Sequence, residues 1–268
     1  MPPKTYDEEF WRDYLTNFDA GMARGRKVLS RLPTDPRCRL CTAPFAGAGG
    51  AVMRVFGKRQ SMANPNYCNS CEKMLIHHHG GGEVDGSMLF ADIRGSTALA
   101  ETMTPAEFRE LLDRFYTTAA GVVVDHDGLV DKFIGDELMA VFPPLLSAER
   151  HPARAVDAAI ALLKATGHTD PEGPWVALGA GVNTGRAWFG AVGEGSHVEL
   201  TVVGDTVNVA ARLASEAAVG EIVISVEAAE KAGLDPGLER RALQLKGKHQ
   251  STEVVTLRVE PAAEPVAR

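Results

Sequence analysis

The residues best suited to chemistry fall in three short segments and two cysteine pairs. The first segment is Phe90-Ala91-Asp92-Ile93-Arg94-Gly95-Ser96-Thr97, an apolar run that ends in a carboxylate and passes into small and hydroxyl residues. A carboxylate so placed holds a hard cation, and the backbone N–H groups of Arg94, Gly95, Ser96 and Thr97 can cradle phosphate oxygens. The second segment, Asp131-Lys132-Phe133-Ile134-Gly135-Asp136-Glu137, carries Asp136 at a tight turn inside otherwise apolar sequence. Two carboxylates a few ångströms apart repel unless cations lie between them, so Asp92 with Asp136 suits two-metal phosphoryl chemistry. The third segment runs from Thr201 to Arg212, and on a helix its Asn208 and Arg212 stand at i and i+4 on one face. An amide beside a guanidinium suits a ribose and a charged phosphate. Each motif alone also has an ordinary reading: a turn aspartate, a hairpin-tip aspartate, a solvated polar pair.

All four cysteines lie upstream, as Cys38-x-x-Cys41 and Cys68-x-x-Cys71. In a reducing compartment two such knuckles favour a tetrahedral zinc thiolate over disulfides. Four protein thiolates leave no open coordination position, so this zinc is structural rather than catalytic. Four free thiols in a small core are the alternative. The run His77-His78-His79-Gly80-Gly81-Gly82 reads as a joint that breaks regular structure, because three consecutive histidines cannot all face one metal.

The elements that must position these groups follow from periodicity. Apolar residues at helical spacing predict one N-terminal helix over 8–32, ahead of a cysteine module over about 37–75. From Asp85 the pattern alternates strands and helices. A strand is expected over 87–93 and a helix over 104–124, with Pro105 near its start. Strands 128–134 and 137–142 form a hairpin about Gly135-Asp136. A helix over 151–166 precedes a strand pair, 176–184 and 187–192. Last come a helix over 206–217 and strands 222–225, 243–245 and 253–258. The order β-α-β-β-α-β through Val192 predicts an α+β, ferredoxin-like core, in which the hairpin lies beside the first strand and brings Asp136 towards Asp92.

The bulk properties narrow the partners. The chain has 268 residues, 45% of them hydrophobic, enough for one sizeable core and a small appendage. A net charge of −7, without long basic runs, argues against coating nucleic acid. No stretch of about 18 apolar residues occurs, so no membrane span is expected. Residues 1–12 are polar and acidic, unlike a signal peptide, and the expectation is a cytoplasmic protein.

Taken together and in this order, the three segments resemble the catalytic domain of class III adenylate/guanylate cyclases, over about residues 86–258. The resemblance implies a nucleotidyl cyclase that converts a nucleoside triphosphate into the 3′,5′-cyclic nucleotide and pyrophosphate, with two Mg2+ or Mn2+ ions per site. Asp92 and Asp136 match the metal-binding aspartates, and the Ile93 carbonyl matches a further ligand. Lys132 matches the base-recognising lysine, and Thr201 holds the second base position, where many members have aspartate. Asn208 matches the ribose-orienting asparagine and Arg212 the arginine that meets charge on the attacked phosphate. Arg186 resembles another triphosphate contact. Leu245-Lys246-Gly247-Lys248 resembles a lysine-bearing strand that reaches the phosphates, with Lys248 the better match.

In this family the aspartates and the Asn/Arg pair of one site come from different subunits, which implies a head-to-tail homodimer with composite sites. Lys132 with Thr201 favours ATP. A pyrimidine nucleotide cyclase in antiviral signalling and a silent nucleotide-sensing module stand as alternatives, and a zinc-ribbon protein binding nucleic acid is disfavoured by the few aromatics near the basic residues. The expected organisation is an N-terminal helical segment (1–36), the cysteine module and linker (37–84), the catalytic domain (85–259) and a loose tail (260–268).

Overall fold

A computed structural model of the chain describes residues 7–32, 36–193, 198–244 and 251–259. Two aspartates divide the N-terminal segment. Asp7 caps α1 (Glu8–Thr16) by accepting from the Phe10 N–H, and Asp19 caps α2 (Ala20–Ser30) by accepting from the Met22 N–H. The single helix expected over 8–32 is therefore two. Asp19 offers the backbone a fresh N-terminus, and its own N–H donates to the Leu145 carbonyl. The cysteine segment adds α3 (Gly47–Val55) and α4 (Asn69–His77), neither of which sequence periodicity revealed.

β1 (Gly80–Ile93) starts inside the glycine run that the sequence presents as a joint. Gly80, Gly81 and Gly82 pair with Ala191, Gly190 and Phe189 of β4 (Leu178–Val192). A Cβ on Gly81 would lie 2.2 Å from the Phe189 carbonyl oxygen, so glycine here admits a close strand approach. His78 and His79 turn to different partners, Asp7 and the Gly193 carbonyl.

After β1 come α5 (Ser96–Thr102) and α6 (Pro105–Asp125), the latter opened by a Thr104/Glu107 capping box. The hairpin β2 (Leu129–Ile134) and β3 (Glu137–Phe142) follows. Short α7 (Pro144–Ser147) leads into α8 (His151–Ala165) and the long β4. The strand pair expected at 176–184 and 187–192 is this one strand, matched to β1 along its whole length. β5 (Glu199–Val203), α9 (Asp205–Glu216), β6 (Glu221–Ser225), α10 (Val226–Ala232), β7 (Arg240–Leu243) and β8 (Thr252–Arg258) complete the order.

The sheet runs β2-β3-β1-β4-β6-β8-β7, with β5 pairing β4 off this path. Its first four strands have the antiparallel 2-3-1-4 order of the expected α+β, ferredoxin-like core. Alternation along β1 sends Leu89, Ala91 and Ile93 into a core with Phe115, Ala119 and Val123 of α6 and Leu162 and Leu163 of α8. Val84, Met88 and Phe90 face the other way, into a core with Ala210 and Ala214 of α9. Trp11, Leu40, Tyr67, Cys38 and Cys68 belong to that same second core. The cysteine module is thus packed onto one face of the sheet, where each fully buried large side chain contributes about 1.5–3 kcal/mol. Among the described residues no helix is long and apolar enough to cross a membrane.

Candidate active site

The pairing of β1 with β3 sets Asp92 opposite Glu137, the residue after Asp136 at the hairpin tip. The Ile93 N–H donates to the Asp136 carbonyl at 3.3 Å, tying the tip to the end of β1. From α6, Tyr116 donates its hydroxyl to the Gly135 carbonyl and stacks on Phe133 with ring centroids 3.9 Å apart. The tip is therefore held from both sides.

The local charge is predominantly negative. Asp92 Oδ1 is buried without a well-formed hydrogen bond and lies against the Arg94 guanidinium, its ion-pair partner. That guanidinium also donates to the Ser215 and Ala217 carbonyls at the end of α9, at 3.1 Å each. Burial lowers the Arg94 pKa, while Asp136 and Glu137 act to raise it. Burial raises the Glu137 pKa, and the charge of Asp136 raises it further. Three carboxylates, Asp92, Asp136 and Glu137, around the single Arg94 guanidinium form a donor set that fits hard divalent cations such as Mg2+ or Mn2+. Gly95 takes a left-handed φ of 72° and leads into α5, with Ser96 half-buried and Thr97 exposed at the start of that helix.

A second group forms around Lys132. Its Nζ lies 3.2 Å from Thr201 Oγ1 and 3.2 Å from Asp131 Oδ2, and Thr201 donates to the same carboxylate at 3.1 Å. The β2–β3 register shifts between Val130 and Lys132, so Asp131 is the extra residue of a β-bulge. Asp131 is only 7% exposed. Burial raises its pKa, against the pull of Lys132 and Thr201. Sequence reasoning passed over Asp131, although a carboxylate in phase with buried Leu129 on a strand was a usable signal. Tyr116 was also missed, since nothing in its spacing marks a contact to a distant turn.

Asn208 and Arg212 lie on α9 as expected. Asn208 is exposed and Arg212 half-buried, and neither side chain has a hydrogen-bond or ion-pair partner among the described residues. The helix is fixed below them by Val207, Ala210, Leu213 and Ala214, and by Asn183 of β4 donating to the Thr206 carbonyl at 2.9 Å. Arg186 stands exposed on β4 and pairs with Glu83 at 3.2 Å, apart from both groups. Its carbonyl accepts from Thr206 Oγ1 at 2.6 Å. The expected Lys248 contact lies outside the described residues, as does the tail 260–268.

The four cysteine sulfurs lie within 4.8 Å of one another. Cys41 and Cys68 sulfurs are 3.8 Å apart, and tetrahedral Zn–S bonds of about 2.3 Å put sulfurs about 3.8 Å apart. The thiols share charge unequally: hydrogen bonding with Cys38 lowers the pKa of Cys68, and of Cys41 to about 7, while Cys38 and Cys71 are pushed up. Burial pulls Lys58 down, but the nearby thiolates, Cys41 first, hold it above its ordinary value. Lys58 Nζ stands 3.8 Å from Cys41 Sγ. This is the chemistry of a soft-metal site.

Comparison with known proteins converges on one family. The family model described as adenylate and guanylate cyclase catalytic domain matches residues 83–257. An uncharacterized protein of Mycobacterium tuberculosis is 33% identical over 186 residues, covering 66% of this chain and 32% of that protein. An adenylate cyclase of Anabaena cylindrica is 32% identical over 136 residues, covering 47% of this chain and 26% of the relative. The chain thus aligns to about a third or less of these curated relatives. Among solved structures, the guanylyl cyclase Cya2 superposes with a TM-score of 0.61 at 28% identity, over 70% of this chain and 97% of that one. The adenylyl cyclase CyaB from P. aeruginosa gives a TM-score of 0.58 at 25% identity, over 68% and 97% respectively.

Proposed function

Because the chain belongs to the adenylate and guanylate cyclase catalytic-domain family, we propose that it cyclises a nucleoside triphosphate, with ATP the preferred substrate, and releases pyrophosphate. The observation that carries the reading is the hairpin tip tied to the end of β1, where the Ile93 N–H donates to the Asp136 carbonyl next to Asp92.

In this reading Asp92, Asp136 and the Ile93 carbonyl hold two Mg2+ or Mn2+ ions. Bound there, the cations supply Lewis-acid polarisation and neutralise triphosphate charge. Lys132 and Thr201 receive the adenine edge, one as a cationic donor and the other as a hydroxyl able to donate or accept. Asp131 holds both in place. Asn208 orients the ribose so that its 3′-oxygen lies in line with the α-phosphorus, and Arg212 meets the charge that develops there. The Arg94–Thr97 turn, Arg186 and Lys248 supply further phosphate contacts. Arg94, which pairs with Asp92 in this chain, would have to turn away for Asp92 to hold a cation. The side chains of Asn208 and Arg212, without hydrogen-bond or ion-pair partners among the described residues, support a head-to-tail homodimer in which a second copy completes each site. The four cysteines hold a structural zinc ion, and the protein works in the cytoplasm.

Asp92→Ala is the direct test. It should abolish turnover of every nucleotide while circular dichroism and melting stay near wild type. Retained turnover would remove the two-carboxylate mechanism.

A further inference from the structure

The cysteine module is linked to the nucleotide half of the site at two independent points, directly from the second knuckle and, from the first, through Arg26 of α2. Tyr67 precedes Cys68 and is 2% exposed. Its hydroxyl oxygen accepts from the Leu200 N–H at 3.1 Å, one residue before Thr201 on β5. Asn64, on the same loop, donates to the Val198 carbonyl at 2.6 Å. The first knuckle is tied to the start of β2 through α2 instead. Arg26, 2% exposed, donates to the carbonyl of Leu40, between Cys38 and Cys41, and to the Gly128 carbonyl at 2.6 Å, just ahead of β2. Lys27 adds an ion pair to Asp127 at 2.8 Å. A small apolar pocket behind the base-recognition pair is lined by Leu40 and Tyr67 from the module and by Leu129, Asp131, Leu200 and Thr201 from the strands.

β5, which carries Thr201, is hydrogen-bonded directly to the second knuckle through Tyr67, while the residue ahead of β2, which carries Lys132, is tied to the first knuckle through Arg26 of α2. The knuckles meet through a few contacts: Arg39 N–H to the Asn66 carbonyl at 3.0 Å, Cys68 N–H to Cys38 Sγ at 3.3 Å, and the sulfur cluster itself. A metal ion bonded to all four sulfurs closes this loop of contacts and fixes the spacing of the two strands. We infer that metal held by Cys38, Cys41, Cys68 and Cys71 sets the geometry of the Lys132–Thr201 pair, so that its occupancy governs nucleotide affinity. Tyr67 and Arg26 are the positioning residues through which it acts. This rests on the reading of Lys132 and Thr201 as the base site. The coupling is reciprocal, so nucleotide must also tighten the metal.

The test compares the full chain loaded with zinc and stripped by a zinc-selective chelator under reducing conditions, with Mg2+ held constant. Binding of 3′-deoxy-ATP and of inorganic tripolyphosphate, which has no base, is measured for both forms by calorimetry. Zinc removal should weaken the nucleotide about tenfold, within the usual range of coupling between sites, and leave tripolyphosphate unchanged. Tyr67→Phe, which keeps every sulfur, should retain zinc and raise KM for ATP with kcat nearly constant, and it decides the matter if the stripped protein unfolds. Equal loss of both ligands, or loss of neither, overturns the inference, as does purified protein that takes up no zinc. Lys132→Ala separates the two layers. If it spares nucleotide affinity, the base reading fails and this inference with it. If it weakens nucleotide while zinc removal and Tyr67→Phe do not, only the coupling fails.

Discussion

Asp131 and Asp92 are both carboxylates beside a cation, but Asp131 is buried and Asp92 half-buried. Asp92 pairs with Arg94 near two further carboxylates, Asp136 and Glu137, whereas Asp131 has its charge divided between Lys132 and Thr201. Because burial raises the pKa of Asp131 in the fold, that group favours the folded state when protonated and loses this contribution as pH rises through its folded value. Asp131→Asn removes the ionisation. Its melting temperature relative to wild type should therefore increase as pH goes from about 4 to about 7, across and above the ordinary carboxylate range. A gap that stays constant or shrinks with pH would show that the Lys132 ion pair outweighs burial. At this scale the sequence disclosed residues whose types are chemically unusual in their setting, such as Asp92 and Asp136 ending apolar runs. It did not disclose Asp131 or Tyr116, whose roles depend on a bulge and on a contact from α6 to a distant turn.

The elements show why α9 stands where Asn208 and Arg212 can serve a site. It lies directly on β4 at Gly181, where an added Cβ would come within 2.2 Å of the Ala214 backbone nitrogen and 2.6 Å of the Ala210 carbonyl oxygen. Gly181→Ala must push the helix away, at a cost of about 1–3 kcal/mol for overpacking. It should lower the melting temperature and reduce kcat more than Asp92-side metal affinity, measured by Mn2+ titration. An unchanged melting temperature would contradict the packing described. The βαββαβ order was legible because its helices and strands are long and strongly periodic. The N-terminal break at Asp19, the strand β5 and helices α3 and α4 were not, because capping, partner strands and sulfur geometry define them more than hydrophobic period does. The glycine run at the start of β1 misled for a related reason: glycine signals a joint locally, but here it answers to Trp188 and Phe189 across the sheet.

At the scale of the molecule, the cysteine module and α9 cover one face of the sheet while α6, α8 and α10 cover the other. The proposed site residues fall into three sets, Asp92 with Asp136, Lys132 with Thr201, and Asn208 with Arg212, and no hydrogen bond or ion pair among the described residues joins one set to another. Composite sites in a homodimer follow from the proposed function. Asp136→Ala and Arg212→Ala chains, each inactive alone, should regain activity when mixed, because one site of each mixed dimer is intact. Mixtures that stay inactive despite forming dimers would contradict shared sites. The most direct test of the central claim is incubation of the purified chain with ATP, GTP, CTP and UTP separately, in Mg2+ or Mn2+, with products read by mass spectrometry. The expected main products are 3′,5′-cyclic AMP and pyrophosphate in equal amounts. No cyclic nucleotide from any of the four, from a folded dimer, would contradict the claim.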